Sequence, residues 1–197
     1  MTYKFVNRPL ENGLYEPEGI YLSAPFRGAG TLLQEWGAHP QFHSAFRYNG
    51  TALKGHPGVD FGLAPDTVLL AVDSGRVMEI SVEPGGFERY LKLEHRWGES
   101  FYAHVGPVSV ESGQMVSRGT ELARSDGEMI AGVFTLPHLH FAIRIAPYNR
   151  FNGWGGFTDP LPFLDPAVFV RVDDVETEIG SFEPPPFLIE QSGTRRP

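Results

Sequence analysis

The chain has 197 residues, of which 41% are hydrophobic and 20% are charged, and this composition excludes a disordered or membrane-embedded protein. Its 24 acidic and 16 basic residues give a net charge of -8, which argues against nucleic acid as a partner because phosphate-binding surfaces concentrate Lys and Arg. The chain has no cysteine, so it has no disulfide or thiolate zinc site, and any metal ion must be held by His, Asp or Glu.

The first 24 residues are rich in Pro, Gly and Glu. We therefore expect residues 1–24 to form an arm on the surface of the domain. This stretch lacks the apolar run of about 7 to 15 residues that a signal peptide requires, so we expect no export signal in it. No other run is apolar for long enough to cross a bilayer, and we expect no membrane span.

Short strands are predicted for the body of the chain, because 23 Gly and 17 Pro residues interrupt it too often for long helices. The one helix-like segment, residues 32–46, is interrupted by Gly37 and Pro40 and would be short. Most candidate strands alternate apolar with polar residues, as in antiparallel sheets, so the predicted fold class is mainly β, a β-rich α+β domain. These strands are TVLLAV from Thr67, GRVMEISV from Gly75, RYLKLEH from Arg89, SFYAHV from Ser100 and HLHFAIRI from His138.

The C-terminal part of the sequence changes character after a last strand-like segment, AVFVRV. Three consecutive prolines at positions 184–186 cannot donate hydrogen bonds to a sheet, so an extended tail is predicted. The expected organisation is an arm over residues 1–24, one domain over residues 25–170 and a tail over residues 171–197.

The segment LPHLHFAIRI carries two histidines one residue apart. Alternate residues of a strand point to the same face, so His138 and His140 share one cleft and Leu139 is buried behind them. Such a pair can serve a metal site, a general base, or one of each. The segment FYAHV supplies His104, which we expect on a neighbouring strand.

A second histidine-bearing segment, GHPGVDFG, contains His56 and Asp60. A helix would place both on one face, but Pro57 pushes His56 towards an extended conformation and Gly58 weakens any helix further. A straight strand would separate their Cα atoms by roughly 13 Å. A turn at Pro57 and Gly58 would fold the carboxylate back beside the imidazole, and this is the predicted arrangement.

Together these motifs resemble the lysostaphin/LytM-type zinc metalloendopeptidases, which cut peptide cross-links of bacterial cell walls. The resemblance covers residues 34–164 and includes the segments DSGRV, VESGQMVSRGTELA and DPLPFL. The stretch WGAHPQFHSAF before the first motif is similar to the branch found in phage-associated and bacterial wall hydrolases. The resemblance implies an antiparallel β-sheet sandwich with a groove, a monomer, peptidoglycan peptides as substrate, and action outside the cytoplasm by an undetermined route.

The resemblance also implies a role for each site residue. His56, Asp60 and His140 would bind one zinc ion per chain, and His104 and His138 would be the catalytic imidazoles. Three protein ligands leave one tetrahedral position for a water molecule, whose pKa zinc lowers to about 7. One free imidazole could accept the proton of that water and the other could stabilise the oxyanion, and the sequence does not assign these two roles.

Two other classes of protein are compatible with parts of this pattern. A non-catalytic binding or activating module of the same family would have no physical reason to retain a costly buried polar cluster. A cupin-like metal-binding barrel also uses His-x-His, but there the motif precedes the other ligands, the reverse of the order in this chain.

The remaining polar and apolar segments lead to weaker expectations. The arm before Ala24 and the segment 126–136, which is longer and more apolar than is common in the family, are expected to line the groove; a hairpin packed on its own core is the alternative for segment 126–136. His39 and His43 are expected at the surface, and a position lining the cleft is the alternative for either. His95 is expected at the end of a strand, in contact with a turn.

Overall fold

The computed structural model describes residues 4–9, 15–84, 86–126, 129–130, 133–134 and 137–171, and for residues 4–9, 15–18, 129–130 and 133–134 it describes the backbone only. Strands dominate this part of the chain, as the Gly and Pro pattern predicts. The elements are β1 Lys4–Pro9, β2 Tyr15–Ile20, β3 Gly30–Gln34, α1 Pro40–His43, β4 Arg47–Tyr48, β5 Thr51–Ala52, β6 Val59–Gly62, β7 Val68–Leu70, β8 Gly75–Glu83, β9 Glu88–His95, β10 Gly98–Ala103, β11 Val105–Val108, β12 Met115–Val116, β13 Glu121–Ser125, β14 Met129–Ile130, β15 Val133–Phe134, β16 His138–Ile145 and β17 Phe169–Arg171.

An eight-stranded sheet forms the main layer, with the strand order β12-β8-β9-β10-β16-β6-β3-β17. Its strands pair antiparallel except β17, which pairs parallel with β3. A three-stranded sheet, β11-β13-β7, supplies residues to the same apolar core. The mainly-β prediction is confirmed.

The core explains why β16 does not alternate simply between buried and exposed residues. Leu139, Phe141 and Ile143 point into the main apolar core and are fully buried. The opposite face of the same strand carries His140, Ala142 and Arg144, and these side chains are buried as well. Ala142 packs there in a second cluster with aromatic residues. The strand is therefore covered on both faces, apolar on one and largely polar on the other.

The helix predicted within segment 32–46 is short, as expected: only Pro40–His43 is α-helical, and the start of the segment belongs to β3, whose backbone pairs with both β6 and β17. One sequence prediction about local structure is wrong. His104 does not lie on a strand. It occupies the break between β10 and β11 with φ of 58°, a left-handed conformation that interrupts the ladder.

The termini are described only in part. Strands β1 and β2 form a separate two-stranded sheet, whereas Ile20 and Leu22 are buried in the main core. The division at residue 24 remains a prediction, and the tail lies outside the described residues except for Arg171. None of the helices in the described part of the chain is long and apolar enough to span a membrane.

A buried carboxylate, Asp73, connects two layers of the fold just before β8. It accepts hydrogen bonds from the Trp97 indole at 3.0 Å, from the Arg118 guanidinium at 2.7 Å and from the Ser74 amide at 2.9 Å. Burial alone would raise the pKa of Asp73, but these donors outweigh it and hold the pKa below its ordinary value. The ionised form is therefore stabilised by folding.

We expect Asp73→Asn to lower the free energy of unfolding near neutral pH by about 1 to 2 kcal/mol, a range that allows for the partly exposed Arg118. Because the pKa of Asp73 is lowered in the folded state, this stabilisation is present above its unfolded pKa of about 3.9 and is lost as the pH falls through the folded pKa. Urea denaturation at neutral and acidic pH measures the difference. The control is Asp66→Asn, whose side chain is 79% exposed. An equal loss at both pH values would contradict the argument.

Candidate metal centre and groove

The pairing of β6 with β16 brings together the two sequence motifs. In this antiparallel pair His140 lies directly opposite Asp60, so their side chains project from the same face of the sheet. His138 lies opposite Gly62 in the same pair of strands. The register therefore places the His-x-His motif next to the carboxylate.

His56 reaches the same point from the segment that precedes β6. Two backbone hydrogen bonds hold it, from the Gly37 amide to the His56 carbonyl and from the His56 amide to the Ala38 carbonyl. The chain then bends at Pro57 and Gly58, both buried, before β6 begins at Val59. The predicted turn is present, and it places the His56 imidazole beside the Asp60 carboxylate.

Three potential ligand atoms converge at this point. His140 Nδ1 lies 2.9 Å from Asp60 Oδ1 and 2.9 Å from His56 Nε2, and His56 Nε2 lies 3.2 Å from Asp60 Oδ1. Ligand atoms of a tetrahedral zinc ion are separated by roughly 3.3 Å when the bonds are about 2.0 Å long. The triangle of atoms therefore matches the size of a zinc site, and within the described residues these three form the group able to hold a metal ion.

The hydrogen bonds around the triangle also favour a cation. His56 Nδ1 lies 3.2 Å from the Glu35 carbonyl, an acceptor only, so the proton of this ring is on Nδ1 and the lone pair of Nε2 points to the triangle. Asp60 contributes a second acceptor. One proton on His140 Nδ1 cannot satisfy both acceptors fully, whereas a metal ion binds all three atoms.

The electrostatics keep these groups in their metal-binding forms. Burial would raise the pKa of Asp60, but the His56 and His140 imidazoles hold it well below its ordinary value. Burial lowers the pKa of His140, and the hydrogen bond from its ring to the Asp60 carboxylate only partly opposes this effect. The carboxylate is therefore ionised and the His140 imidazole is neutral at neutral pH, as metal binding requires.

His104 and His138 lie together beside the triangle. Their ring centroids are 4.6 Å apart, and the His104 ring is 6.4 Å from that of His140. The His104 amide donates to the Phe87 carbonyl, which fixes the residue at the strand break. Burial, followed by the nearby imidazoles, lowers the pKa of His104 to about 3, and its buried Nδ1 has no hydrogen-bond partner in the described part of the chain. The ring is therefore neutral at neutral pH, and its Nδ1 can form a hydrogen bond with a bound molecule.

A groove of about 310 Å³ contains the triangle and opens to solvent. The segment from α1 to β5 and the connection between β8 and β9 contribute most of its remaining walls. The arm and segment 126–136 are predicted to line this groove. Most of their side chains are outside the described part of the chain, so this stays a prediction. The lining residues are Gln34, Phe42, His43, Phe46, Arg47, Tyr48, Leu53, His56, Pro57, Asp60, Glu83, Gly86, Phe87, His104 and His140.

The prediction of a surface position is wrong for His43. It lies in the groove wall, where its ring centroid is 5.1 Å from that of His56 and the Gln34 amide contacts its Nε2 at 3.0 Å. Burial lowers its pKa to about 4. The sequence contains a signal for this turn, because Pro is common at the first position of a helix and Pro40 begins the helical turn that ends at His43. His39 is exposed, as expected, and His95 ends β9 and contacts the Ser74 carbonyl at 2.9 Å.

Arg144 is a further residue that sequence reasoning missed. It is fully buried four residues beyond His140, on the same face of β16. Its guanidinium donates to Glu99 at 2.6 Å, to the Tyr48 hydroxyl at 2.6 Å and to the Gly155 carbonyl at 2.9 Å. A buried charge is tolerated only when it is paired and hydrogen-bonded, and these contacts connect the strand that carries His140 to the groove wall.

Comparison with known proteins gives one family match. The sequence profile of Peptidase family M23 matches residues 54–152, about half of the chain. These residues include His56, Asp60, His104, His138 and His140.

Similar proteins include two curated relatives. An "Uncharacterized metalloprotease" of Haemophilus influenzae is 34% identical over 94 residues, which cover 47% of this chain and 19% of that protein. The "Peptidoglycan DD-endopeptidase ShyB" of Vibrio cholerae is 30% identical over 91 residues, 46% of this chain and 20% of that protein. The chain therefore matches only about a fifth of the length of these relatives.

Among solved structures, the catalytic domain of the antimicrobial peptidase lysostaphin from Staphylococcus simulans superposes with a TM-score of 0.53 at 25% identity. The match covers 68% of this chain and 91% of that domain. The two chains share the strand-rich architecture described above.

Gly58→Ala tests how tightly the turn is packed against the triangle. A Cβ atom at this position would lie 2.7 Å from His140 Cε1, 2.8 Å from His140 Nε2 and 2.7 Å from the Phe141 carbonyl oxygen. We expect the methyl group to displace the His140 ring and to weaken metal binding by about tenfold or more, measured by competition with a chelator. Gly62→Ala is the control, because its Cβ would meet only the Leu33 side chain. Equal metal affinity in both variants would contradict this packing argument.

Proposed function

Because the chain belongs to Peptidase family M23, we propose that it is a zinc-dependent endopeptidase that hydrolyses peptide cross-links of bacterial peptidoglycan. The observation that carries the proposal is the meeting of His56 Nε2, Asp60 Oδ1 and His140 Nδ1 within 3.2 Å of one another inside an open groove. The curated relative from Vibrio cholerae, named as a peptidoglycan DD-endopeptidase, supports the substrate class.

We assign the three converging residues to one zinc ion per chain. When bound, the ion would supply a water molecule with a pKa of about 7 and a positive charge next to the scissile carbonyl. The Glu35 carbonyl keeps the His56 ring in the tautomer that presents Nε2 to this ion. The β6–β16 register keeps Asp60 and His140 side by side.

His104 and His138 are assigned to proton transfer and oxyanion stabilisation. Neither residue belongs to the group of three that could hold a metal ion, so neither imidazole is assigned to the zinc ion. The buried Nδ1 of His104 has no hydrogen-bond partner in the described part of the chain, and we assign this nitrogen to the attacking water, whose proton the ring would receive. His138, 4.6 Å away between ring centroids, would then donate to the oxyanion of the tetrahedral intermediate.

The domain division belongs to the same proposal. Residues 25–170 would form the peptidase unit, and the arm and the tail would flank it. The unit would act on the cell wall, outside the cytoplasm. The decisive experiment is mass spectrometry of fragments released from purified peptidoglycan, because cleaved glycan bonds or a released lactyl-amide alone would mean a different class of hydrolase.

We expect His140→Ala to lose both the metal ion and the hydrolytic activity, because the remaining two ligands cannot complete the triangle. Elemental analysis of the purified protein measures zinc, and release of amines from cell-wall fragments measures activity. The matched control is His39→Asn, which changes an exposed histidine with a left-handed backbone that Asn tolerates. Stoichiometric zinc in His140→Ala would show that the ligand assignment is wrong.

His104→Ala and His138→Ala should behave differently, because each removes an imidazole and leaves the three ligands in place. We expect both variants to retain one zinc ion and to lower kcat by about a hundredfold or more, a typical contribution of general acid-base catalysis. Near-normal turnover in either variant would remove that residue from the catalytic set. Loss of zinc would instead assign it to the metal site.

A further inference from the structure

Arg47 has an unusual position among the residues of the groove. Of the described residues that line the groove, it is the only Lys or Arg. Its guanidinium donates through one nitrogen to the Gly50 carbonyl at 2.9 Å, and no carboxylate pairs with it in the described part of the chain. The remaining donors of this exposed guanidinium are therefore available to a ligand.

The hairpin that carries Arg47 is held in place from two sides. Asn49 and Gly50 both have positive φ, 48° and 77°, so they form the tight turn between β4 and β5. Tyr48, which follows Arg47 in the chain, accepts a hydrogen bond of 2.6 Å from the buried Arg144 on β16. The backbone beside Arg47 is therefore connected, through Tyr48 and Arg144, to the strand that carries His140, and the guanidinium is held by its hydrogen bond to the Gly50 carbonyl. Anchoring the residue in this way reduces the entropy lost on binding a ligand.

The other ionisable groups of the groove do not neutralise Arg47. Asp60 belongs to the group of three residues able to hold a metal ion. Glu83 lines the groove from the end of β8 and forms no ion pair with Arg47. An anionic ligand in the groove would therefore find one cationic side chain with free donors.

The neighbouring wall is aromatic. Phe42 and Phe46 are 46% and 42% exposed although they are large apolar residues, and their ring centroids lie 5.3 Å apart. Phe87 lines the same groove, 5.4 Å from the His140 ring. Exposed aromatic side chains beside a free guanidinium fit a ligand that presents an apolar side chain and a carboxylate together.

We propose that Arg47 determines specificity by binding a free carboxylate of the cross-linked stem peptide, while Phe42 and Phe46 contact an adjacent aliphatic side chain. This inference rests on the proposed function and names the substrate class of that same groove. Stem peptides carry free carboxylates near their cross-links, whereas a bridge made only of glycine has neither a carboxylate nor a side chain along its length. Arg47 therefore selects direct cross-links between stem peptides over polyglycine bridges.

The probe is a synthetic cross-linked stem peptide, together with a series in which each free carboxylate is replaced in turn by a carboxamide. The zinc-loaded proteins are the wild type, Arg47→Gln, Arg47→Lys and Arg27→Gln. Arg27 is exposed outside the groove, which makes it the matched control for loss of one positive charge. KM is measured where the wild type cleaves the probe, and the calorimetric Kd is measured where it does not.

We expect one amidation to raise KM or Kd about fivefold to tenfold in the wild type and in Arg27→Gln, as for a charge-assisted hydrogen bond in a partly open site. Arg47→Gln should bind the acid and the amide equally. Arg47→Lys should retain part of the preference, because it keeps the charge without the planar fork. Zinc also attracts carboxylates, so the deciding quantity is the difference in preference between Arg47→Gln and the wild type.

The outcomes separate this inference from the proposed function. A wild type that cleaves the probes without any preference, or an Arg47→Gln variant with the full preference, overturns the inference and leaves the peptidase assignment standing. A wild type that binds with the Arg47-dependent preference but cleaves no probe supports the inference and overturns the assignment. If Arg47→Gln does not fold, judged by its circular dichroism melting curve, the reduced preference of Arg47→Lys decides the question.

Discussion

The register of β6 against β16 is the constraint on which the rest of the site depends. His140 faces Asp60 across this pair, and a shift of one residue would bring Leu139 or Phe141 opposite the carboxylate instead. The register is protected by the core, because the same shift would turn Leu139, Phe141 and Ile143 away from the apolar side of the sheet. Apolar packing on one face thus fixes the ligand geometry on the other.

The polar face of β16 carries two groups of buried polar contacts. The first is the triangle of potential ligand atoms around His140. The second is the set of hydrogen bonds from Arg144 to Glu99, Tyr48 and Gly155. Each buries polar groups that would be costly without partners. The first supports the proposed metal site, and the second holds the groove wall against the sheet.

The sheet and the segments beside it contribute differently to the site. Strands β6 and β16 carry Asp60, His138 and His140, and the segments before β6 and after β10 add His56 and His104. The wall formed by α1 and the β4–β5 hairpin carries the exposed side chains of Phe42, Phe46 and Arg47, on which the proposed substrate preference depends.

The sequence by itself determined the strand-rich fold and the grouping of His56 with Asp60, because strand alternation and a Pro-Gly turn are local properties. It also predicted that His138 and His140 share a face. Only the tertiary structure decided the break at His104, the burial of Arg144 and the position of His43 in the groove. These features depend on which distant segments pack together, and no local pattern of residues specifies that packing.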